Sequence, residues 1–169
     1  MKVLVVVDMQ NDFINGSLGT DEALKIVDNV ITKIKVAEAN NNIILYTKDT
    51  HYEDYFSTLE GIKLPVAHCI KNTIGWEIPK EILREHQMVF EKETFGSLKL
   101  IEYLKTIQFD EIELIGICTD ICVISNAMLI KANFPNKKII VDSTCCSGVS
   151  IESHQEALNV MKMCHIDII

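Results

Sequence analysis

The sequence predicts an α/β fold in which helices cover both faces of a mostly parallel, doubly wound sheet. Its strand-like segments are continuous runs of Val, Ile and Leu, as expected for parallel strands that are buried on both faces. Segments with apolar residues at three- and four-residue spacing, typical of amphipathic helices, lie between these runs. This alternation indicates a three-layer sandwich, and we expect residues 1–169 to form a single domain.

The individual elements follow from the same patterns. Apolar runs predict six strands, over residues 2–8, 42–48, 87–92, 112–117, 137–143 and 166–169. The helical spacing predicts helices over residues 20–40, 97–107, 120–133 and 151–164. Thr20 or Asp21 is the expected N-cap of the first helix. Residues 49–76 form an unusually long and polar connection, and long connections in compact domains are usually functional.

Composition and charge narrow the classes of protein to consider. The chain has 169 residues, of which 48% are hydrophobic and 24% charged, as is usual for a globular domain with a sizeable core. A formal net charge of −8 argues against nucleic acid or a membrane surface as a partner. No apolar run reaches transmembrane length, and MKVLVVVDMQ is interpreted as a buried strand rather than a signal peptide. We therefore expect a cytoplasmic protein.

The six cysteines do not form a recognisable disulfide or metal framework. No pair has the C-x-x-C spacing of zinc ribbons or thioredoxin-like sites, and the adjacent Cys145 and Cys146 cannot easily bridge each other. Most of the six are expected to be reduced thiols that pack as small hydrophobic residues. Cys118 and Cys122 leave three interpretations open: a redox or metal pair, two core cysteines, or one nucleophile and a bystander.

Polar residues cluster where the predicted strands end. Ligands of open α/β sheets bind at the carboxyl ends of the strands, so these residues are expected to share one edge of the sheet. They are Asp8, Asp49, His51, Lys92, Cys118, Thr119, Asp120, Cys122, Asp142, Ser143 and Thr144.

Cys122 is the best candidate nucleophile in this group. If Thr119 caps the helix that follows, Cys122 lies near its third position, where the helix dipole favours the thiolate. Asp8 could take the thiol proton, Lys92 could balance the charges, and free backbone N–H groups could form an oxyanion hole. Each residue also has a structural explanation, in a turn, in solvent or in the core. Their expected meeting at one edge favours catalysis.

The long connection carries a second candidate site. Asp49 and His51 could simply close the loop, but Glu60 and His68 follow in the same segment. Carboxylate and imidazole groups on such a segment would suit a divalent metal, with zinc, iron(II) and manganese all compatible.

Several stretches, in order along nearly the whole chain, resemble the isochorismatase-like superfamily of cysteine hydrolases, close to the nicotinamidase- and pyrazinamidase-related amidases. They are VVVDMQNDF (5–13), KDTH (48–51), LPVAHCIKNTIGWEIP (64–79), FEKETFGS (90–97) and GICTDICVISNA (116–127). The resemblance implies a sheet with the strand order 3-2-1-4-5-6. The isochorismate-cleaving members of the superfamily lack the cysteine, so Cys122 argues against that chemistry.

The resemblance also implies a catalytic triad of Asp8, Lys92 and Cys122. Cys122 would attack the amide carbon, Asp8 would move the proton to the leaving ammonia, and water would release the acid from a thioester. A cis peptide between Ile117 and Cys118 would aim the backbone N–H groups of Cys118 and Cys122 at the oxyanion. The thiol of Cys118 would then have no role, and Asp120 would hold the turn.

For the metal, the resemblance implies Asp49, His51 and His68 as ligands, with zinc the first choice and Glu60 as a ligand in some members. A further His of many members is replaced here by Tyr55. In the family the metal orients the substrate. Some relatives have an aromatic residue where this chain has Pro65, or a His where it has Ile121. Phe13 is therefore the first candidate pocket aromatic, with Trp76 or Phe95 as a further one.

Three functional hypotheses follow. The first is a nicotinamidase, which converts nicotinamide to nicotinate. The second is a related amidase that acts on a carbamoyl, ureido or other small amide. The third, from another class, is a non-catalytic or redox-active member of the fold. The superfamily implies a homo-oligomer, and His86, His154 and His165 are expected to be ordinary surface or helix residues.

Overall fold

The computed structural model describes residues 1–169 and contains one six-stranded sheet. The strands are β1 (Lys2–Val7), β2 (Ile43–Asp49), β3 (Met88–Lys92), β4 (Glu111–Ile117), β5 (Lys138–Ser147) and β6 (Asp167–Ile168). Their order is β3-β2-β1-β4-β5-β6, and every neighbouring pair is parallel. The predicted strand order is therefore confirmed, in a sheet that is parallel throughout.

Helices pack on both faces of this sheet. They are α1 (Asn11–Ile14), α2 (Asp21–Ala39), α3 (Leu59–Lys63), α4 (Leu98–Leu104), α5 (Ile124–Asn133) and α6 (Ile151–Met163). On one face α2 packs against Leu4 and Val6 of β1; on the other, α4, α5 and α6 pack against Val3 and Val5. β1 is thus buried on both sides, as its unbroken apolar run predicted. No helix is both long and apolar enough to cross a membrane.

The fifth strand is longer than predicted because it contains an irregularity. Leu114 of β4 pairs with Val141, but Gly116 pairs with Cys146, so β5 carries extra residues between its two paired segments. Polar residues in this stretch, among them Asp142, ended the predicted strand at residue 143. The structure instead continues β5 to Ser147 beside the end of β4.

The long connection after β2 is held to the sheet by two side chains that follow β1. The side-chain oxygen Oε1 of Gln10 accepts from the backbone N–H of Asp49 at 2.7 Å. Its side-chain Nε2 donates to the backbone carbonyls of Asp49 at 2.8 Å and Trp76 at 2.9 Å. Asp12 accepts from the backbone N–H of Cys69 at 2.7 Å. These bonds fold the connection back over the carboxyl ends of β1 and β2.

Candidate active site

A cavity of about 720 Å³ opens at the carboxyl edge of the sheet. Cys118 and Cys122, after β4, line one wall, and Asp49 and His51, at and after the end of β2, line another. The long connection contributes His68 and Glu60 to the same cavity. The structure therefore brings the two groups that the sequence singled out into one space.

Three of the predicted catalytic side chains meet beneath this cavity. Nζ of Lys92 lies 2.6 Å from Oδ2 of Asp8 and 3.5 Å from Sγ of Cys122. It also lies 3.1 Å from Oδ1 of Asp49, so one ammonium group contacts both clusters. All four residues are buried, which strengthens each of these electrostatic contacts.

Asp8 is oriented by its position directly after β1. Its φ of 47° lies in the left-handed region, which is uncommon for a residue other than glycine and is often found at functional sites. Oδ1 accepts a hydrogen bond from the Thr47 hydroxyl at 2.7 Å. Oδ2 faces Lys92 but has no aligned hydrogen-bond partner, so it can accept a proton.

Burial and mutual charge set the protonation of these groups. Burial raises the pKa of the Cys122 thiol well above its usual range, and the negative charge of Asp8 adds to this, while Lys92 opposes it. For Lys92, burial works to lower the pKa, but the charges of Asp8 and Cys122 raise it well above its usual range. Burial likewise raises the pKa of Asp8, against the opposing charge of Lys92. The stabilisation of the thiolate that the helix dipole was expected to give is therefore opposed here by burial and by the charge of Asp8.

The turn that carries Cys122 differs from the predicted helix start. Residues Thr119–Val123 form a π-helical turn, Cys118 is its N-cap residue, and no side chain caps it. Thr119 is not the N-cap because its hydroxyl bonds instead to Nδ1 of His154 at 2.8 Å. Asp120 holds the turn, as expected, since both of its carboxylate oxygens accept from the backbone N–H of Val149 at 3.2 Å.

The backbone before this turn has the features expected of an oxyanion site. The Ile117–Cys118 peptide bond is cis, and the N–H of Cys118 donates no hydrogen bond within the protein. Gly116 precedes it with a φ of 121°, and a Cβ there would lie 2.1 Å from the carbonyl oxygen of Val7. Only glycine therefore lets β4 approach β1 closely at this point.

The second cluster consists of four side chains whose donor atoms all lie within 4.8 Å of one another: Asp49, His51, Glu60 and His68. Nε2 of His51 is 3.0 Å from Oδ2 of Asp49 and 3.7 Å from Oε1 of Glu60. Nε2 of His68 is 3.6 Å from the same Asp49 oxygen and 3.7 Å from the same Glu60 oxygen. Four ligands placed tetrahedrally about 2.0–2.2 Å from one ion lie about 3.4 Å apart, so this set fits a divalent metal such as zinc.

Comparison with known proteins assigns the chain to a family of hydrolases, in agreement with the geometry of the site. Residues 2–169 match the isochorismatase domain family. The chain belongs to the isochorismatase family. Its fold and its relatives group it with the nicotinamidase-related amidases of the isochorismatase-like superfamily.

Three relatives illustrate the range. The nicotinamidase/pyrazinamidase of Mycobacterium tuberculosis is 26% identical over 185 residues, covering 100% of this chain and 98% of its own. The pyrazinamidase of Pyrococcus horikoshii, solved in complex with zinc, has a TM-score of 0.88 at 25% identity, covering 99% of this chain and 98% of that one. The N-carbamoylsarcosine amidase of Thermoplasma acidophilum has a TM-score of 0.78 at 28% identity, covering 99% and 94%.

Neighbouring groups orient the histidines of the candidate metal site, His51 and His68. Nδ1 of His68 donates to the carbonyl of Val66 at 2.8 Å, so Nε2 is the ring nitrogen that faces Asp49 and Glu60. Tyr55 packs its ring against His51 and His68, with centroids 4.8 and 5.1 Å apart. Its hydroxyl donates to the carbonyl of Leu64 at 2.8 Å, so Tyr55 is a wall of the site rather than a ligand.

Of the candidate pocket aromatics, Phe13 and Phe95 line the cavity, and the Phe13 ring centroid is 5.6 Å from that of His68. Trp76 is not among the residues that line it. Its indole is covered by Lys48, whose Nζ is 3.1 Å from the ring centroid, and its N–H donates to Thr50 at 2.9 Å. Trp76 therefore fixes the long connection to the end of β2.

Two residues that bond to the Cys122 turn escaped the sequence analysis. Asn126 of α5 is fully buried; its side chain accepts from the N–H of Ser97 at 2.9 Å and donates to the carbonyl of Cys122 at 2.8 Å. It therefore ties the segment after β3 to the Cys122 turn. His154, expected to be an ordinary residue, is half-buried against Thr119. Neither position carries a signal in a single sequence, because each acts through residues distant along the chain.

Proposed function

We propose that this protein is a cysteine amidase that hydrolyses the C–N bond of a small amide, with nicotinamide as the best single substrate. The observation that carries the proposal is the contact of buried Asp8 and Lys92 with each other and of Lys92 with Cys122, which lines a cavity that also contains four candidate metal ligands. The nicotinamidase and pyrazinamidase relatives support the choice of substrate.

The first half-reaction forms a thioester. Sγ of Cys122 attacks the amide carbon while Oδ2 of Asp8 accepts the thiol proton. The amide oxygen becomes an oxyanion, which the backbone N–H groups of Cys118 and Cys122 stabilise. Asp8 then gives the proton to the amide nitrogen, the C–N bond breaks, and ammonia leaves. Lys92 remains charged throughout and stabilises the negative charge that moves between sulfur and carboxylate.

The second half-reaction releases the acid. A water molecule takes the place of ammonia and attacks the thioester carbon, and Asp8 accepts one of its protons. The C–S bond breaks, the carboxylic acid leaves, and Asp8 returns the proton to the Cys122 sulfur. Asp8 therefore acts as base and acid in turn, which suits a carboxyl whose pKa burial has raised.

We propose that Asp49, His51, His68 and Glu60 hold a divalent metal ion, with zinc first and iron(II) or manganese as alternatives. When bound, the ion would supply a Lewis-acid contact that orients the substrate. Lys92 links the two clusters, since its ammonium group contacts Asp49 as well as Asp8. Burial works to raise the pKa of Asp49, but hydrogen bonds from His51 and His68 and the charge of Lys92 hold it well below its usual range.

The charges around the cavity favour an uncharged substrate. Besides the buried Lys92 beneath it, Lys63 at the mouth is the one cationic side chain that lines it, and Asp54 and Glu93 line it too. The single arginine of the chain, Arg84, pairs with Glu38 elsewhere. A ureido acid with a free carboxylate would therefore find little compensating charge. A carbamoyl or ureido substrate is the alternative, supported by the N-carbamoylsarcosine amidase neighbour.

The test measures ammonia release from nicotinamide, pyrazinamide, N-carbamoyl amino acids and simple aliphatic amides, using zinc-loaded protein. We expect the pyridine and pyrazine amides to give the highest kcat/KM. Cys122→Ala should abolish turnover, and acid quenching of the wild type during turnover should add the acyl mass to Cys122. A higher kcat/KM for a carbamoyl compound would contradict nicotinamide as the substrate. Turnover by Cys122→Ala would contradict the thioester mechanism.

A further inference from the structure

The catalytic turn is anchored from outside by a histidine. The hydroxyl of Thr119 and Nδ1 of His154 lie 2.8 Å apart, and Thr119 is fully buried. His154 belongs to α6, which packs along this turn. Gly148 packs closely against the backbone and Cβ of His154, because a Cβ added to Gly148 would lie 2.9 Å from Cβ of His154. The segment between β5 and α6 and the turn after β4 therefore meet at this histidine.

The bond between Thr119 and His154 bears on the catalytic groups because of where Thr119 lies in the turn. Thr119 is the first residue of the turn and directly follows Cys118, whose N–H is a proposed oxyanion donor. Further along the same turn, the N–H groups of Ile121 and Val123 both donate to the carbonyl of Cys118, at 3.1 and 3.0 Å. A rotation at Thr119 would thus change the direction of the Cys118 peptide and the position of the Cys122 sulfur.

The turn lacks the anchor that most helix starts possess. No side chain caps it, so the usual hydrogen bond from a side chain to the free N–H groups is missing. The contacts that hold its first two residues come instead from the β5–α6 region, through His154 on Thr119 and the Val149 N–H on Asp120. Burial lowers the pKa of His154, against the opposing charge of Asp120, so the ring is neutral at neutral pH.

We propose that His154 is a positioning residue of the reaction, which acts through Thr119 to hold the Cys118 and Cys122 backbone and the attacking sulfur in register. This rests on the proposed amidase function. The substrate-orienting residues Asp49, His51 and His68 belong to the other wall of the cavity. A loss at His154 should therefore reduce kcat and leave substrate and zinc binding unchanged.

The test compares variants of the zinc-loaded full chain on nicotinamide. For His154→Ala we expect kcat to fall about tenfold to a hundredfold, the range for misplaced catalytic groups, with KM and zinc content unchanged. His154→Asn puts an amide near the position of Nδ1 and should recover most of kcat. Thr119→Val should resemble His154→Ala, and the double variant should be no worse than either, because both remove one contact.

A matched control separates positioning from a general weakening of α6. Ser153 forms the capping box of α6 with Ser150, and its side chain has no hydrogen bond to a residue of the catalytic turn. Ser153→Ala should lower thermal stability while kcat stays at the wild-type value. The inference is overturned if His154→Ala keeps wild-type kcat, if His154→Asn loses as much as His154→Ala, or if Ser153→Ala lowers kcat equally.

A substrate-independent measurement keeps the inference distinct from the proposed function. Iodoacetamide alkylation of Cys122, located by peptide mass spectrometry, should be slower in His154→Ala and restored in His154→Asn, since the displaced sulfur loses its contact with Lys92. If the wild type hydrolyses amides, the kcat of His154→Ala tests the role of His154. If it hydrolyses none, the amidase proposal fails and the alkylation rate of Cys122 tests that role instead. Slower alkylation in His154→Ala then supports the role of His154, and an unchanged rate overturns it.

Discussion

Nζ of Lys92 lies 2.6 Å from Oδ2 of Asp8, and the two side chains are 2% and 0% exposed. The same Nζ is 3.1 Å from Asp49, so one buried cation neutralises a carboxylate from each cluster. Removal of this cation would leave two carboxylates uncompensated in a low-dielectric interior. Lys92 therefore stabilises the fold by pairing with two buried carboxylates, and the same ammonium group contacts Cys122.

The first prediction concerns Lys92→Met. The variant should lose activity and about 3–5 kcal/mol of unfolding free energy, the usual cost of leaving buried charges unpaired. Lys25→Met is the control, because Lys25 forms an exposed pair with Glu22 and its loss should leave stability close to that of the wild type. Urea denaturation of both metal-free variants measures the difference. Equal stability of Lys92→Met and wild type would contradict the buried-triad account.

The second prediction separates the two cysteines of the catalytic turn. Cys118→Ala should keep kcat close to the wild-type value, because the proposed oxyanion donor is its backbone N–H and the thiol has no part in the reaction. Burial raises the pKa of the Cys118 thiol to about 12, so it is not a ready nucleophile or redox partner. Steady-state kinetics give the answer. A loss as large as that of Cys122→Ala would favour a dithiol function instead.

The third prediction addresses the metal site. Glu60→Gln should weaken zinc binding by about tenfold or more, since one of four converging donors loses its charge. Asp54→Asn is the matched control, because Asp54 lines the same cavity but lies outside the donor cluster. Titration with a zinc indicator measures both affinities. If Glu60→Gln binds zinc like the wild type, the site has three protein ligands.

Much of the fold was predictable because it depends on local patterns. Buried parallel strands require unbroken apolar runs, and the sheet edge that they share gathers whatever polar residues follow them. Asp8, Asp49, Lys92 and Cys122 were accessible to that reasoning because each directly ends a strand or begins a helix. The bulge in β5 was not, since its polar residues interrupt the pattern by which a strand is recognised.

The supporting contacts of the site could not be predicted from the sequence. Gln10 and Asp12 hold the backbone of Asp49 and Cys69, residues remote along the chain. The bond between Thr119 and His154 likewise joins elements that only the packed sheet brings together. Thr119 had the residue type and position of an N-cap, but its hydroxyl bonds to the distant His154 instead of accepting from a local backbone N–H. Such choices are made by tertiary packing.

The fourth prediction tests the two aromatic residues assigned to different roles. Phe13→Ala should raise KM for nicotinamide, because its ring lines the cavity beside His68. Trp76→Phe should leave KM unchanged and lower stability by about 1 kcal/mol, through loss of the hydrogen bond to Thr50. Kinetics and thermal denaturation of both variants provide the comparison. A raised KM in Trp76→Phe alone would place the substrate on the opposite side of the connection.

The fifth prediction concerns acid stability and Lys33, whose Nζ lies 2.6 Å from Asp142 and 2.7 Å from Glu113. These contacts join α2 to β4 and β5. Burial works to raise the pKa of Asp142, but the hydrogen bond from Lys33 and those from Thr144 lower it below its ordinary value of 3.8. The folded state therefore binds the proton more weakly than the unfolded state does.

The sign of the pH dependence follows from this difference. The stabilisation by Asp142 is complete above the unfolded pKa of 3.8 and is lost as the pH falls through the lower folded value. Asp142→Asn should cost about 2 kcal/mol at pH 7, and the gap between variant and wild type should close below pH 3.8. Urea denaturation across the pH range measures it, with Asp28→Asn on the exposed face of α2 as control. A gap that stays constant to pH 2 would mean that the cost is steric and that the ion pair contributes nothing.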